Sequence, residues 1–171
     1  LSHEGQKPDE ELVKSIYSLV LAHPEVTGIH DLIVHDYGPG RLMITLHAEV
    51  NSDGNILEIH DVIDNIEVEL AQKLNCMATI HMDPIAVNDE KVTMLRMMVS
   101  ERMTQLFGED VSIHDFRVVE GPTHTNVIFD IVVPFGFEHS DMKVSEMVKE
   151  NISEIEEIDY RAVIKVEHAY I

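Results

Sequence analysis

The sequence predicts an α+β protein made of two tandem units, each with the order helix, strand, strand, helix, strand. Stretches with apolar residues at helical spacing alternate with stretches in which they recur at every second position. That order runs through once and then repeats, with a unit of about 85 residues. The repeat also extends to side chains. Gly28-Ile29-His30-Asp31-Leu32 returns 84 positions later as Ser112-Ile113-His114-Asp115-Phe116, and the Gly38-Pro39 turn returns as Gly121-Pro122. Helices on one face of a small sheet form the layer plan this order implies. The expected division is 1–87 and 88–171.

In the first unit, Leu1 to Lys7 reads as a tail. Pro8 suits a first helical turn, and Asp9, Glu10 and Glu11 complement the N-terminal dipole. Leu12, Ile16, Leu19 and Val20 form the apolar stripe, with His23 at its end, and Pro24 ends the helix. Val26 to Tyr37 and Arg41 to Val50 read as a hairpin around Gly38-Pro39-Gly40. Asn51 to Asn55 is a loop with capping residues. Ile56, Ile59, Ile63, Ile66 and Leu70 carry a helix to about Asn75, and Met77 to Pro84 is the closing strand.

In the second unit, a helix is expected over Asp89–Phe107, ended by Gly108. Strands follow over Ser112–Glu120 and Thr123–Val133, then a helix over Asp141–Glu157 and a strand over Tyr160–Tyr170. The run Met94-Leu95-Arg96-Met97-Met98 could be a cofactor box, but it reads as soft core filler at helical spacing.

Charge narrows the function. Against 32 Asp and Glu stand 12 Lys and Arg, a formal −20. Phosphate binding needs the opposite sign, so no nucleic-acid partner is expected, and an anionic membrane face would repel the chain. Cations are the natural small partners, although excess charge can also serve solubility alone. The 11 His make metal more specific, because imidazole and carboxylate are the usual Zn²⁺ ligands where no thiolate is used. The single cysteine, Cys76, allows no intramolecular disulfide and suggests a reducing compartment. It is expected to be a small buried residue after the second helix. No apolar run is long enough to span a bilayer. The chain begins without Met, which suggests a piece of a longer protein.

The organising stretch is Thr79-Ile80-His81-Met82-Asp83-Pro84. On a strand, Ile80 and Met82 face one way while Thr79, His81 and Asp83 face the other. In Leu42–Val50 the alternation puts His47 opposite the apolar residues. If both strands share a sheet, His47, His81 and Asp83 can converge. Taken alone, His47 could be a solvated surface residue, and His60, in the first turn of its helix, could be structural. His30 alternates with core-facing Leu32 and Val34, so it is either buried and hydrogen-bonded or displaced at the strand's start. His35 and Asp36 lie near the turn. His3, His23, His124, His139 and His168 have no partner by spacing.

With His30-Asp31-Leu32, the Gly-Pro hairpin, His47, His60 and His81-Met82-Asp83-Pro84 in view, residues 9 to 85 resemble the cytoplasmic C-terminal domain of cation diffusion facilitators, which export divalent metals. The resemblance implies a ferredoxin-like, metallochaperone-like fold and a homodimer. It implies a transmembrane domain elsewhere in the full-length protein, a place on the cytoplasmic side of the membrane, and metal at the dimer interface on His30, His47, His60, His81 and Asp83. Met82 stands where some relatives have a polar residue able to reach the partner. Residues 88–171 are expected to be a degenerate second copy. Five ligands exceed the four of one tetrahedral Zn²⁺; Mn²⁺, Fe²⁺, Co²⁺ or Cd²⁺ would also suit them.

The resulting expectation is a regulatory and dimerisation domain of a divalent-metal exporter, not an enzyme. The alternative is a ferredoxin-like module binding a small organic ligand. A metallohydrolase would need a general base, for which Glu49 on the His47 face is the candidate. The second unit should hold no equivalent metal site, because alignment places His114, Asp130, Lys165 and Glu167 there, and an ammonium has no lone pair to give.

Overall fold

The computed structural model describes residues 9–86 and 90–169. Leu1–Lys7 with His3, Pro8, Asp89 and Tyr170, which the sequence assigns to a tail, two helix starts and a strand end, lie outside them. The chain forms two compact units, Leu1–Pro84 and Ile85–Ile171.

The first unit runs α1 (Glu10–Leu21), β1 (Val26–Asp36), β2 (Leu42–Asn51), α2 (Ile56–Leu74) and β3 (Cys76–Ile85). Asp9 caps α1, its carboxylate accepting from the Glu11 N–H at 3.1 Å. Asn55 caps α2 by accepting from the N–H groups of Leu57 and Glu58. Asn75 ends α2 in the left-handed region, φ 49°, where Asn is tolerated. The strands form one sheet in the order β1-β2-β3, with β1 and β2 antiparallel. Ile16 and Val20 of α1 and Ile59, Ile63, Ile66 and Leu70 of α2 cover one face, over Ile29, Ile44, Leu46, Ala48 and Ile80. Fully burying such side chains contributes roughly 1.5–3 kcal/mol each. Cys76 is half-buried and donates from Sγ to the Leu70 carbonyl.

The second unit runs α3 (Glu90–Phe107), β4 (Ser112–Glu120), β5 (Thr125–Pro134), α4 (Asp141–Ser153) and β6 (Tyr160–Ala169). Its sheet has the order β4-β5-β6, with β4 and β5 antiparallel and β5 and β6 parallel. Val99, Met103, Phe129, Ile131, Val144, Val148 and Ile152 form the centre of its core. The chain is thus α+β, with two tandem ferredoxin-like αββαβ units.

Three expectations need correction. The Met94–Met98 run is not core filler. Only Leu95 of it is buried; Met94 and Met97 are 69% and 63% exposed, and Met98 also faces out. The core-facing stripe of α3 is Leu95, Val99 and Met103, so the helix presents a different face from the one the methionines mark. Helix α4 stops at Ser153 rather than Glu157. Glu154 and Ile155 donate to carbonyls three residues back, tightening the last turn, and Glu157 at φ 81° cannot continue a helix. Strand β5 starts at Thr125, because Gly121 N–H donates to the His124 carbonyl and keeps residues 121–124 in the turn.

The shared motif has one structural cause. From His30 to Ile33, β1 advances three residues while its partner advances two, from His47 to Thr45. The extra residue is accommodated with Asp31 at φ 51°, a region that Asp enters more readily than most residues. In the second unit, Asp115 sits at φ 54° within the same irregularity, between His114 and Arg117. The bulge changes the parity of the strand. Ile29 stays in the core and His30 turns to the open face, yet Leu32 and Val34 pack on the core again.

Candidate metal centre

Three potential ligands meet on the open face of the first sheet. His30 of β1 and His47 of β2 are register partners, and their rings stack with centroids 4.8 Å apart. Asp83 of β3 reaches both. Its Oδ2 lies 3.0 Å from His30 Nε2 and 2.9 Å from His47 Nδ1. Among the described residues, one set of three potential metal-ligating side chains has ligand atoms all within 4.8 Å of one another: His30, His47 and Asp83. Ligand atoms about 2.0–2.2 Å from a common Zn²⁺ require only a small closure of that set.

The structure adds a residue that the sequence offered in another role. Glu49, two positions beyond His47 on β2, is almost wholly buried and bonds through Oε2 to His30 Nδ1 at 3.1 Å. Both nitrogens of His30 therefore face carboxylates, Glu49 on one side and Asp83 on the other. Burial opposes a charge on His30, but the hydrogen bonds to Asp83 and Glu49 and their negative charge outweigh it and push its pKa up to about 9. Burial likewise opposes ionisation of Asp83, and bonds to His30 and His47 overcome it, holding the carboxyl below its ordinary range. The proton between His30 Nε2 and Asp83 stands where a cation shared by the two would sit. Glu49 on Nδ1 fits the outer carboxylate of a carboxylate–histidine–metal triad, which fixes the ring and raises its basicity. A role as solvent-facing general base does not fit its burial. The signal in the sequence was the shared strand face of His47 and Glu49 together with Gly28, the register partner of Glu49. A Cβ on Gly28 would come within 3.1 Å of the Glu49 carboxyl group.

The other two predicted residues are not among the three whose ligand atoms converge. His81 is exposed and its ring stacks on His47 at 5.0 Å. His60, in the first turn of α2, is 68% exposed and lies 3.7 Å from Asp64. Most of the unassigned histidines have carboxylate neighbours: His23 with Glu69, His168 with Asp141 and, more loosely, His139 with Glu138. His124 contacts the Thr123 hydroxyl instead, and exposed His35 stacks on Tyr37.

Residues 8–85 match the family described as the cation efflux protein cytoplasmic domain. Solved structures of CzrB, a candidate zinc transporter, are similar. One is 30% identical and covers 46% of this chain and 98% of that chain, with a TM-score of 0.42. Its Zn form is 29% identical, covers 45% and 89%, and has a TM-score of 0.41. Residues 8–85 carry the cation efflux protein cytoplasmic domain. The cation-efflux pump FieF of Escherichia coli K12 is 33% identical over 81 residues, 47% of this chain and 26% of that protein. FieF of Klebsiella pneumoniae is 32% identical over the same length. The chain thus matches about a quarter of the length of these curated relatives.

The second unit has different side chains at the same sheet positions. His114 pairs with Asp130, as His30 pairs with His47, and Asp130 pairs with Lys165. Ser112 and Val132 stand opposite each other where the first unit has Gly28 and Glu49. Lys165 Nζ lies 3.2 Å from Glu167. Burial, then the charge of Glu167, raises the Asp130 carboxyl pKa, and Lys165 and Arg117 partly offset this. No helix among the described residues is long and apolar enough to cross a membrane.

Proposed function

We propose that this chain is the cytoplasmic regulatory and dimerisation domain of a divalent-metal efflux transporter, and that its first unit binds the metal. The observation that carries the proposal is the single Asp83 oxygen shared by His30 and His47, with Glu49 behind His30. His81, next to His47, completes the shell, and exposed His60 is available to a second ion or a partner subunit. Imidazole with carboxylate suits Zn²⁺ first and accepts Mn²⁺, Fe²⁺, Co²⁺ or Cd²⁺. Metal would bind one dimer arrangement better than another, so its binding shifts the population that a transmembrane domain senses. The formal charge of −20 attracts the cation and holds apo subunits apart. The second unit, residues 88–171, is a degenerate copy in which Lys165 takes the place of metal charge. Equilibrium dialysis of the full chain with Zn²⁺, alongside sedimentation, tests the proposal. Zn²⁺ should be taken up and should move the chain toward dimer, and Asp83→Ala should lose both effects. No uptake above a nonspecific level, or equal uptake by Asp83→Ala, overturns it.

One observation favours the small-ligand reading. A pocket of about 450 Å³ in the second unit is lined by Lys91, Glu120, His124 and Tyr160 among others. Chemical-shift changes confined to that pocket on screening small acids and amines, with no Zn²⁺ uptake, would favour it.

A further inference from the structure

The open face of the first sheet carries a second group of donor side chains, nearer the Gly38-Pro39 turn. His35 of β1 and Met43 of β2 are register partners. Strand alternation puts Met43 on the face of His47, four residues further on. On β3, Met77 likewise stands four residues before His81. His47 and His81 stack, so they are neighbours across β2 and β3. Strands β2 and β3 are neighbours joined through helix α2, as β5 and β6 are joined through α4. Strands β5 and β6 are parallel, and the same arrangement of β2 and β3, with His81 beside His47, puts Met77 beside Met43. The second unit has this pairing at the corresponding positions, where Asn126 is in register with Arg161. Adjacent strands lie about 4.8 Å apart, so one imidazole and two thioethers project side by side from a rigid sheet.

These side chains face water. Met43 and Met77 are 40% and 68% exposed, and His35 is exposed with its ring stacked flat on Tyr37 at 5.9 Å. A soft, flexible thioether is also a ligand, and its preference is for soft ions. From this juxtaposition we infer that His35, Met43 and Met77 form a binding site for a soft monovalent cation of the Cu(I) class. It is separate from the His and carboxylate centre and does not depend on that centre's metal. Two sulfurs and one nitrogen give a neutral three-donor set that discriminates against hard divalent ions, which prefer oxygen and nitrogen. The net negative charge of the chain supplies long-range attraction without placing a carboxylate among the three donors. The second unit has Val119, Asn126 and Arg161 at the corresponding positions, one of them already a cation.

The test uses the full reduced chain with ¹³C-labelled methionine methyls, and Ag(I) as a redox-inert stand-in for Cu(I). The Met43 and Met77 methyls and the His35 ring protons should shift together and saturate at one equivalent beyond that taken by Cys76. Met43→Leu and Met77→Leu, each a volume-conserving change at an exposed position, should each weaken this step at least tenfold and leave Zn²⁺ uptake unchanged. The inference is overturned if Met43 and Met77 titrate independently of each other. It is also overturned if Ag(I) saturates only Cys76, or if the exposed Met94, Met97 and Met98 methyls move first.

Discussion

Replacing Glu49 with Gln removes one charge behind His30 while keeping size and a hydrogen-bond acceptor for Nδ1. In the native chain the His30 pKa is pushed up to about 9 against its burial by Asp83 and Glu49. A metal binding at pH 7 must therefore displace a proton held about two pH units above ambient. That costs about 2.7 kcal/mol, or roughly 100-fold in apparent affinity. Through His30 alone the apparent Zn²⁺ affinity should rise about ninefold from pH 7 to 8 and about fivefold from pH 8 to 9. At pH 8 its site should release about 0.9 proton on binding. If the Glu49→Gln substitution halves the rise above the ordinary 6.5, release at pH 8 falls to about 0.4, and the slope between pH 8 and 9 flattens. The outer carboxylate also makes His30 a better ligand, so the variant should bind roughly tenfold or more weakly at pH 9. The two curves should therefore approach each other as pH falls. Isothermal titration in buffers of different ionisation enthalpy measures both affinity and protons. Equal proton release and equal slope in the two proteins would show that Glu49 is not coupled to His30. No proton release at pH 8 from the native chain would remove His30 from the ligand set.

The metal-free fold should respond to pH through the same groups. His30, with a raised folded pKa, contributes stability that is full below about 6.5 and is lost as pH rises through about 9; Asp83, with a lowered one, contributes above about 3.8 and loses it as pH falls. Urea unfolding of the apo chain should thus show the first unit most stable between about pH 4 and 6.5 and weaker by up to about 3 kcal/mol at pH 9.5; stability that rises across that interval would contradict the arrangement. Asp31→Val places a β-branched residue at φ 51° and should cost about 1–2 kcal/mol, whereas Asp31→Gly should be near neutral. Equal melting temperatures for the two variants would mean that the bulge does not need that conformation. Lys165→His should raise Zn²⁺ uptake of the full chain in an Asp83→Ala background, because it adds a lone pair beside Asp130 in place of a cation; unchanged uptake would place Lys165 away from the corresponding position.

Much of this was legible because periodicity and repetition are properties of sequence. Ile56, Ile59, Ile63, Ile66 and Leu70 mark one helix face, and four of the five are buried. Exposed Ile56, at the start of α2, is the exception. His47 and Asp83 could be placed on the open face because β2 and β3 alternate without interruption between them. His30 could not, since alternation fails where a strand carries an extra residue, and the conformation of Asp31 is not a property of hydrophobic pattern. The Met94–Met98 run misled for a related reason. Its four apolar residues lie on more than one side of a helix, and a count of apolar residues does not say which side the neighbouring elements leave open.

The bulge also explains how one motif serves two different faces. Ile-His-Asp with an apolar residue after it occurs in both units, and in both the Asp sits near φ 50° between two paired segments. The motif therefore encodes backbone shape: it turns the preceding His outward while the apolar residues on either side of the bulge, Ile29, Leu32 and Val34 in the first unit, stay on the core. What that His then does is decided across the sheet. In the first unit it meets Glu49, His47 and Asp83; in the second, the register partners are Val132 opposite Ser112, Asp130 opposite His114 and Lys165 beside Asp130. A repeated motif thus conveys where a ligand can stand, and the residues on the neighbouring strands convey whether it has partners.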